Sequence, residues 1–114
     1  MYVYKAKIIN VVDGDTVDAI VDLGFRINFE MRLRLADINT PELNSKDPVE
    51  REKANAAKQF VIDFCAKSDN VVTINTIKDK QDKYGRYLAF LFNGIDYNNV
   101  NMMLVENGLA EHYT

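Results

Sequence analysis

The stretch Phe25-Arg26-Ile27-Asn28-Phe29-Glu30-Met31-Arg32-Leu33-Arg34-Leu35 alternates without a break, apolar at every odd position and polar at every even one. A period of two marks a β-strand with one face in a core, so the stretch predicts a strand that presents Arg32 and Arg34 together on its outer face. Taken alone, such a charged face is usually just solvated. The residues that follow, Ala36-Asp37-Ile38-Asn39-Thr40-Pro41-Glu42, form a proline-stiffened turn rich in oxygen donors, and this context gives the two arginines more weight.

Upstream, Tyr2, Tyr4, Ala6 and Ile8 alternate with Val3, Lys5 and Lys7, which predicts a strand from Tyr2 to Val12. Asp13-Gly14-Asp15-Thr16 breaks the pattern with turn residues, and Thr16 to Leu23 resumes a strand that ends at Gly24, so the pair reads as a hairpin. By itself that turn is an ordinary solvated hairpin tip. Downstream of the loop Glu42 to Asp47, Asp47-Pro48-Val49-Glu50 is a helix start, with a capping side chain, proline at the first helical position and glutamate three residues after the cap. The helix should run to about Lys67, with Ala57, Phe60, Val61, Phe64 and Cys65 as its apolar stripe. Cys65 therefore reads as a buried small hydrophobe and not a nucleophile.

Val71 to Ile77 is a β-branched strand, Lys78 to Gly85 a charged loop, and Arg86 to Phe92 a strand closed by the turn pair Asn93-Gly94. Asn98 or Asn99 can cap a last helix through about Asn107, with Val100, Met103 and Leu104 inward and Gly108 at its end. His112 has no partner in the sequence and receives no role. The order is three strands, a helix, two strands and a helix. That predicts a mainly β, α+β domain over residues 1–114: a five-stranded OB-fold barrel with a helix between strands 3 and 4 and a second, C-terminal helix. Barrels of this layout commonly bind nucleic acid on their outer face and loops.

At 114 residues, with 47% hydrophobic and 27% charged, the chain suits one ordinary globular core. No apolar run is long enough to span a bilayer, and the start lacks the order of a signal peptide, so a cytoplasmic monomer is expected. The single cysteine excludes an internal disulfide and fits a reducing compartment. A formal charge of -3 argues against attraction to nucleic acid by net charge, so a polyanion must be met by local clusters or a metal. Such clusters exist. Asp13-Gly14-Asp15-Thr16, Arg34 to Glu42, and Lys83-Tyr84-Gly85-Arg86 supply carboxylates and guanidiniums from three separated segments, the inventory of a phosphodiester-cleaving metal site.

The motifs Val12-Asp13-Gly14-Asp15-Thr16-Val17, Arg34 to Glu42, Asp82-Lys83-Tyr84-Gly85-Arg86 and Asn107-Gly108-Leu109-Ala110 resemble, in the same order, those of the staphylococcal nuclease (thermonuclease) family. The resemblance covers about Tyr4 to Ala110. It implies a calcium-dependent endonuclease that hydrolyses DNA, RNA or both, prefers single strands and leaves 3'-phosphate ends. By matching position, Asp15 resembles the anionic metal ligand, Thr40 the residue that lends a backbone carbonyl, and Glu42 the carboxylate that positions or deprotonates the attacking water. Arg34 and Arg86 match the arginines that grip the phosphate, while Lys83 and Tyr84 match residues that contact a neighbouring phosphate and sugar. Asn39 stands where the family has a second calcium-binding aspartate, which implies weaker metal binding. The chain also stops soon after Ala110, where the staphylococcal enzyme continues into tyrosine-containing sequence and a third helix. Asp37 does not match the family's aspartate and is expected to lie on the surface. The rival reading is a catalytically silent OB-fold module that binds nucleic acid or protein. Joint presence of Asp15, Glu42, Arg34 and Arg86 argues against it, since a pure binder needs no water-activating carboxylate beside a phosphate.

Overall fold

A computed structural model describes residues 2–81 and 87–113, the side chains of 78–81 excepted. Its elements in chain order are β1 (Tyr2–Asp13), β2 (Thr16–Asp22), β3 (Asn28–Leu35), β4 (Ile38–Asn39), α1 (Pro48–Ala66), β5 (Val71–Gln81), β6 (Tyr87–Phe92), α2 (Val100–Glu106) and β7 (Glu111–His112). Five of the strands close a barrel in the order β1-β2-β3-β6-β5, with α1 falling between the third and fourth barrel strands, so the OB-fold-like α+β architecture stands. Neighbours run antiparallel except where β3 meets β6 in parallel, Leu33 beside Tyr87 and Leu35 beside Ala89. Val17, Ala19, Val21, Leu33, Leu35, Ile74 and Leu91 are buried and fill the barrel interior, as their alternation requires. One end is covered by α1 through Ala57, Val61, Phe64 and Cys65; burying each of the larger apolar side chains contributes about 1.5–3 kcal/mol. Burial also pushes the Cys65 thiol up to about 12, so it stays protonated and inert. Among the described residues no helix is long and apolar enough to cross a membrane.

Three local features depart from the sequence pattern. The strand expected from Phe25 begins only at Asn28, because Gly24, Phe25 and Arg26 form a left-handed turn with φ of 81°, 54° and 64°. Backbone bonds from Leu23 N–H to the Ile27 carbonyl and from Ile27 N–H to the Gly24 carbonyl close it, both at 2.9 Å. Alternation therefore ran straight through a turn, and Phe25 is 97% exposed where a core position was expected. Of the apolar face only Leu33 and Leu35 are buried.

At the start of α1 the Asp47 side chain accepts from Val49 N–H at 3.0 Å, as a cap should. The reciprocal bond expected from Glu50 to the cap's own N–H is replaced by a relay: Ser45 Oγ accepts from Asp47 N–H at 3.2 Å and donates to Glu50 Oε2 at 2.9 Å. The relay ties down the loop that follows Glu42.

Beyond the barrel, β4 and β7 form a small antiparallel sheet, Ile38 opposite His112 and Asn39 opposite Glu111, and Tyr113 N–H donates to the Asp37 carbonyl at 2.7 Å. The C-terminal segment thus braces the turn ahead of Thr40. On the other side of that turn sits Asn101 of α2, fully buried, whose Nδ2 donates to the carbonyls of Ala36 and Ala89 at 3.0 Å each, while its Oδ1 accepts from Leu91 N–H at 3.3 Å. A buried amide whose donors and acceptor are all engaged contributes stability, whereas an unpaired one would cost it. Asn101 joins α2 to the parallel seam between β3 and β6.

Candidate functional site

The hairpin turn Asp13 to Thr16 is no solvated tip. Gly14 is buried, and a Cβ built there would lie 2.7 Å from the Ala57 Cβ and 2.9 Å from the Thr40 Cγ2. Only glycine lets the turn press between α1 and the Thr40 loop. This close approach carries Asp15 to Thr40: its Oδ2 accepts from Thr40 N–H at 3.2 Å, and its Oδ1 accepts from the Thr16 hydroxyl at 3.2 Å.

Arg34 reaches the same place from the end of β3. Its Nη1 donates to the Leu35 carbonyl at 2.7 Å, and its Nη2 donates to the Ile38 carbonyl at 2.8 Å and to Asn39 Oδ1 at 2.5 Å while lying 3.4 Å from Asp15 Oδ2. With side-chain exposure of only 12%, the guanidinium is fixed by carbonyls on both sides of the turn. Its Nε–H and one Nη1–H have no partner among the described residues, which leaves donors for an anion. Its strand neighbour Arg32 is engaged elsewhere, held by Asp18 at 2.8 and 3.2 Å. The two arginines that share a face of β3 therefore take different tasks.

Glu42 is exposed, and its carboxylate makes no hydrogen bond or ion pair among the described residues. Its backbone is held, since its carbonyl accepts from Ser45 N–H at 3.3 Å. Lys83, Tyr84 and Arg86 lie outside the described residues. Asp37 sits on the surface with φ of 64°, as expected of a residue with no part in the site.

Asp13 was quoted in the turn motif but given no role, and the structure makes it the partner of Asp15. Its Oδ1 accepts from Asp15 N–H at 3.0 Å. Burial, then the side-chain hydrogen bond and charge of Asp15, push its pKa from 3.8 to about 6. For Asp15, burial acts to raise the pKa, but it is outweighed by the hydrogen bond with Asp13, the charge of Arg34 and the Thr40 N–H, which together hold it below the usual range. The signal that could have found Asp13 was its spacing: two carboxylates flanking a glycine on a turn end up side by side.

This arrangement has a measurable signature. A carboxyl whose folded pKa exceeds its unfolded one favours the native state when protonated, so its contribution falls as pH rises from 3.8 to about 6. Asp15 works the other way, with its contribution lost on acidification below the unfolded value. Asp13→Asn keeps the acceptor for Asp15 N–H and removes the buried charge. In chelator near neutral pH we expect it to be more stable than wild type by on the order of 1 kcal/mol, once solvent screening at this half-buried site is allowed for. Urea denaturation at several pH values checks it; parallel pH profiles for the two proteins would show that Asp13 carries no such penalty.

A carboxylate pair in which one member is driven toward protonation is a place a cation would relieve. The donors nearby are hard oxygens: Asp15, the Asn39 amide, and the Thr40 carbonyl, which accepts no hydrogen bond among the described residues. Among those residues no three acidic, histidine or cysteine side chains stand close enough to hold a metal by themselves. The set therefore fits an oxygen-seeking divalent ion whose shell is completed by water and a ligand's oxygens, as calcium allows, and not zinc. A larger opening of about 520 Å³, lined by Tyr2, Tyr4, Leu23, Phe29 and Tyr87 among others, lies at the opposite end of the barrel, and among the described residues that line it there is no carboxylate, ammonium or guanidinium.

A family model described as staphylococcal nuclease homologue matches residues 32–114. The chain belongs to that family. Among relatives of this staphylococcal nuclease homologue, the thermonuclease of Staphylococcus hyicus is 31% identical over 91% of the chain and 56% of its own length. An uncharacterized protein of Methanocaldococcus jannaschii is 30% identical over 96% of the chain and 59% of its own length. Another, of Bacillus anthracis, is 30% identical over 91% of the chain and 45% of its own length. The chain thus spans about half the length of these relatives. The family to which the chain belongs therefore includes a protein named as a thermonuclease.

Proposed function

We propose that the protein is a calcium-dependent endonuclease that hydrolyses phosphodiester bonds of DNA, RNA or both, with single strands preferred and 3'-phosphate ends left. What carries this reading is the convergence of Arg34, Asp15 and Thr40 from three strand ends on one spot, with the Arg34 guanidinium locked in place by two backbone carbonyls. Asp15, the Thr40 carbonyl and the Asn39 amide would hold the ion, which when bound would neutralise phosphate charge and orient water. Arg34 offers a remaining donor to the phosphate, and Arg86 is assigned the other side of it; both bind more strongly as negative charge builds on the oxygens. Glu42 accepts a proton from the attacking water as its oxygen bonds to phosphorus. The bond to the 5'-oxygen breaks, and that oxygen takes a proton from solvent water as it leaves. Lys83 and Tyr84 are assigned to the adjoining phosphate and sugar. Residues 1–114 act in this proposal as one monomeric nuclease domain, and a cytoplasmic location accompanies it on the strength of the single buried cysteine.

The test is purified protein with a labelled single strand, in calcium and in chelator. Cleavage is expected in calcium, with little in chelator. Binding of the strand without cleavage in calcium would instead support a silent OB-fold module.

A further inference from the structure

Glu111 is paired directly with Asn39 in the β4–β7 sheet. Residues directly opposed in an antiparallel ladder send their side chains to the same face, with Cβ atoms about 4.5–5.5 Å apart. The face on which Asn39 lies is fixed, because its Oδ1 accepts from Arg34 Nη2, which is also 3.4 Å from Asp15 Oδ2. Glu111 therefore leaves its strand on the side of the Asn39, Arg34 and Asp15 group. Glu111, Asn39 and Thr40 also line one cleft of about 180 Å³, together with Glu50 and Lys53.

The two acids of this cleft differ in availability. Glu50 accepts from the Ser45 hydroxyl in the helix-start relay, whereas Glu111 is exposed with no hydrogen bond or ion pair among the described residues. Lys53 lies within 4.0 Å of neither carboxylate, so no internal ion pair occupies the cleft. Across the ladder, Asn39 brings an amide oxygen but no charge, and the charge of Asp15 is shared with Arg34. The geometry points to Glu111 as a second carboxylate for the cation site, holding a divalent ion at the Asn39–Thr40 edge by its charge or through a bridging water. This rests on the calcium reading above and adds to it a residue outside the motifs that suggested that reading. A calcium ion at the cleft mouth is attracted by the anion over several ångströms of partly excluded solvent, where effective dielectric is lower than in bulk water. Glu111 is in this role a positioning residue for the ion and touches no reacting atom.

The experiment reads calcium binding directly, by calorimetric titration and by the rise in Tm that calcium produces, with no nucleic acid present. Wild type, Glu111→Gln, Asn39→Asp, the double variant and Glu30→Gln are compared. Glu30, exposed on β3 toward the far end of the barrel, is the charge-matched control. Glutamine keeps the strand pairing and the side-chain size, so Tm without calcium should not change. Glu111→Gln should weaken calcium binding by roughly tenfold and shrink the calcium-induced rise in Tm. Asn39→Asp in the Glu111→Gln background should restore both, because the lost charge returns to the same face from the opposite strand. Glu30→Gln should match wild type. If Glu111→Gln binds calcium as tightly as wild type, or loses no more than Glu30→Gln does, the assignment of Glu111 is overturned while the calcium site survives. If wild type and Asn39→Asp are folded and neither binds calcium, the calcium reading and the role of Glu111 fall together.

Discussion

Replacing Glu42 with glutamine is expected to lower single-turnover cleavage by about 10²–10⁴-fold, the usual contribution of a positioned general base, while calcium and substrate binding stay close to wild type. The reasoning is chemical first. Glutamine has the size and reach of glutamate but cannot take a proton from water. Structure makes the substitution clean: the Glu42 carboxylate has no partner among the described residues, and the loop is held by backbone and by Ser45, so no contact among those residues depends on its charge. Tm should not change. Single-turnover cleavage of a short labelled strand in saturating calcium, alongside fluorescence anisotropy for binding, separates the two effects. Near-wild-type cleavage by the folded variant would sink the role given to Glu42 and the mechanism with it.

Arg34→Ala should reduce turnover by on the order of 10²–10³-fold, since it removes donors aimed at developing phosphate charge. Here the structure changes what the sequence suggested. The guanidinium also satisfies the Leu35 and Ile38 carbonyls and the Asn39 amide, so its loss should lower stability as well, by about 1–3 kcal/mol. Activity must therefore be measured well below the Tm of the variant. Arg26→Ala is the control: Arg26 is exposed in the left-handed turn between β2 and β3, away from the Asp15 end of the hairpin, and both turnover and Tm should stay near wild type. Comparable activity losses in the two variants would mean that general positive charge, and not the position of Arg34, is what matters.

How far the sequence carried can be seen residue by residue. Val17, Ala19 and Val21, or Leu33 and Leu35, declare their strands because a half-buried sheet imposes a period of two on local sequence. The Asp47 and Asn99 caps were readable for the same reason, each acting on N–H groups two or three residues away. Phe25 and Ile27 misled because the alternation is silent about where a chain turns back, a matter settled by the backbone bonds around Gly24. At the site, Asp15, Arg34, Asn39 and Thr40 were named from the resemblance to a family's motifs, and the structure brings them together. Asp13, Gly14 and Glu111 were missed as participants. Their significance comes from contacts across 26 or more residues of chain, Gly14 with Thr40 and Glu111 with Asn39, or from a pairwise electrostatic effect no composition reveals. Asn101 carried no signal in the sequence beyond its place in a capped helix, and it is fully buried.

Asn101 has a consequence in time. The seam it fastens joins β3 to β6, and its amide also holds the Ala36 carbonyl in the run of chain between Arg34 and Thr40. In chain order the first hairpin, β3 and α1 all precede this residue, so they are made before it. Until α2 docks, the carbonyls of Ala36 and Ala89 have no such donor, and the turn that carries Asn39 and Thr40 lacks its β7 brace as well. Arg34 and Asp15 are thus set beside each other by the β2–β3 pairing, whereas the turn that presents Asn39 and Thr40 is braced only by the last-made segments.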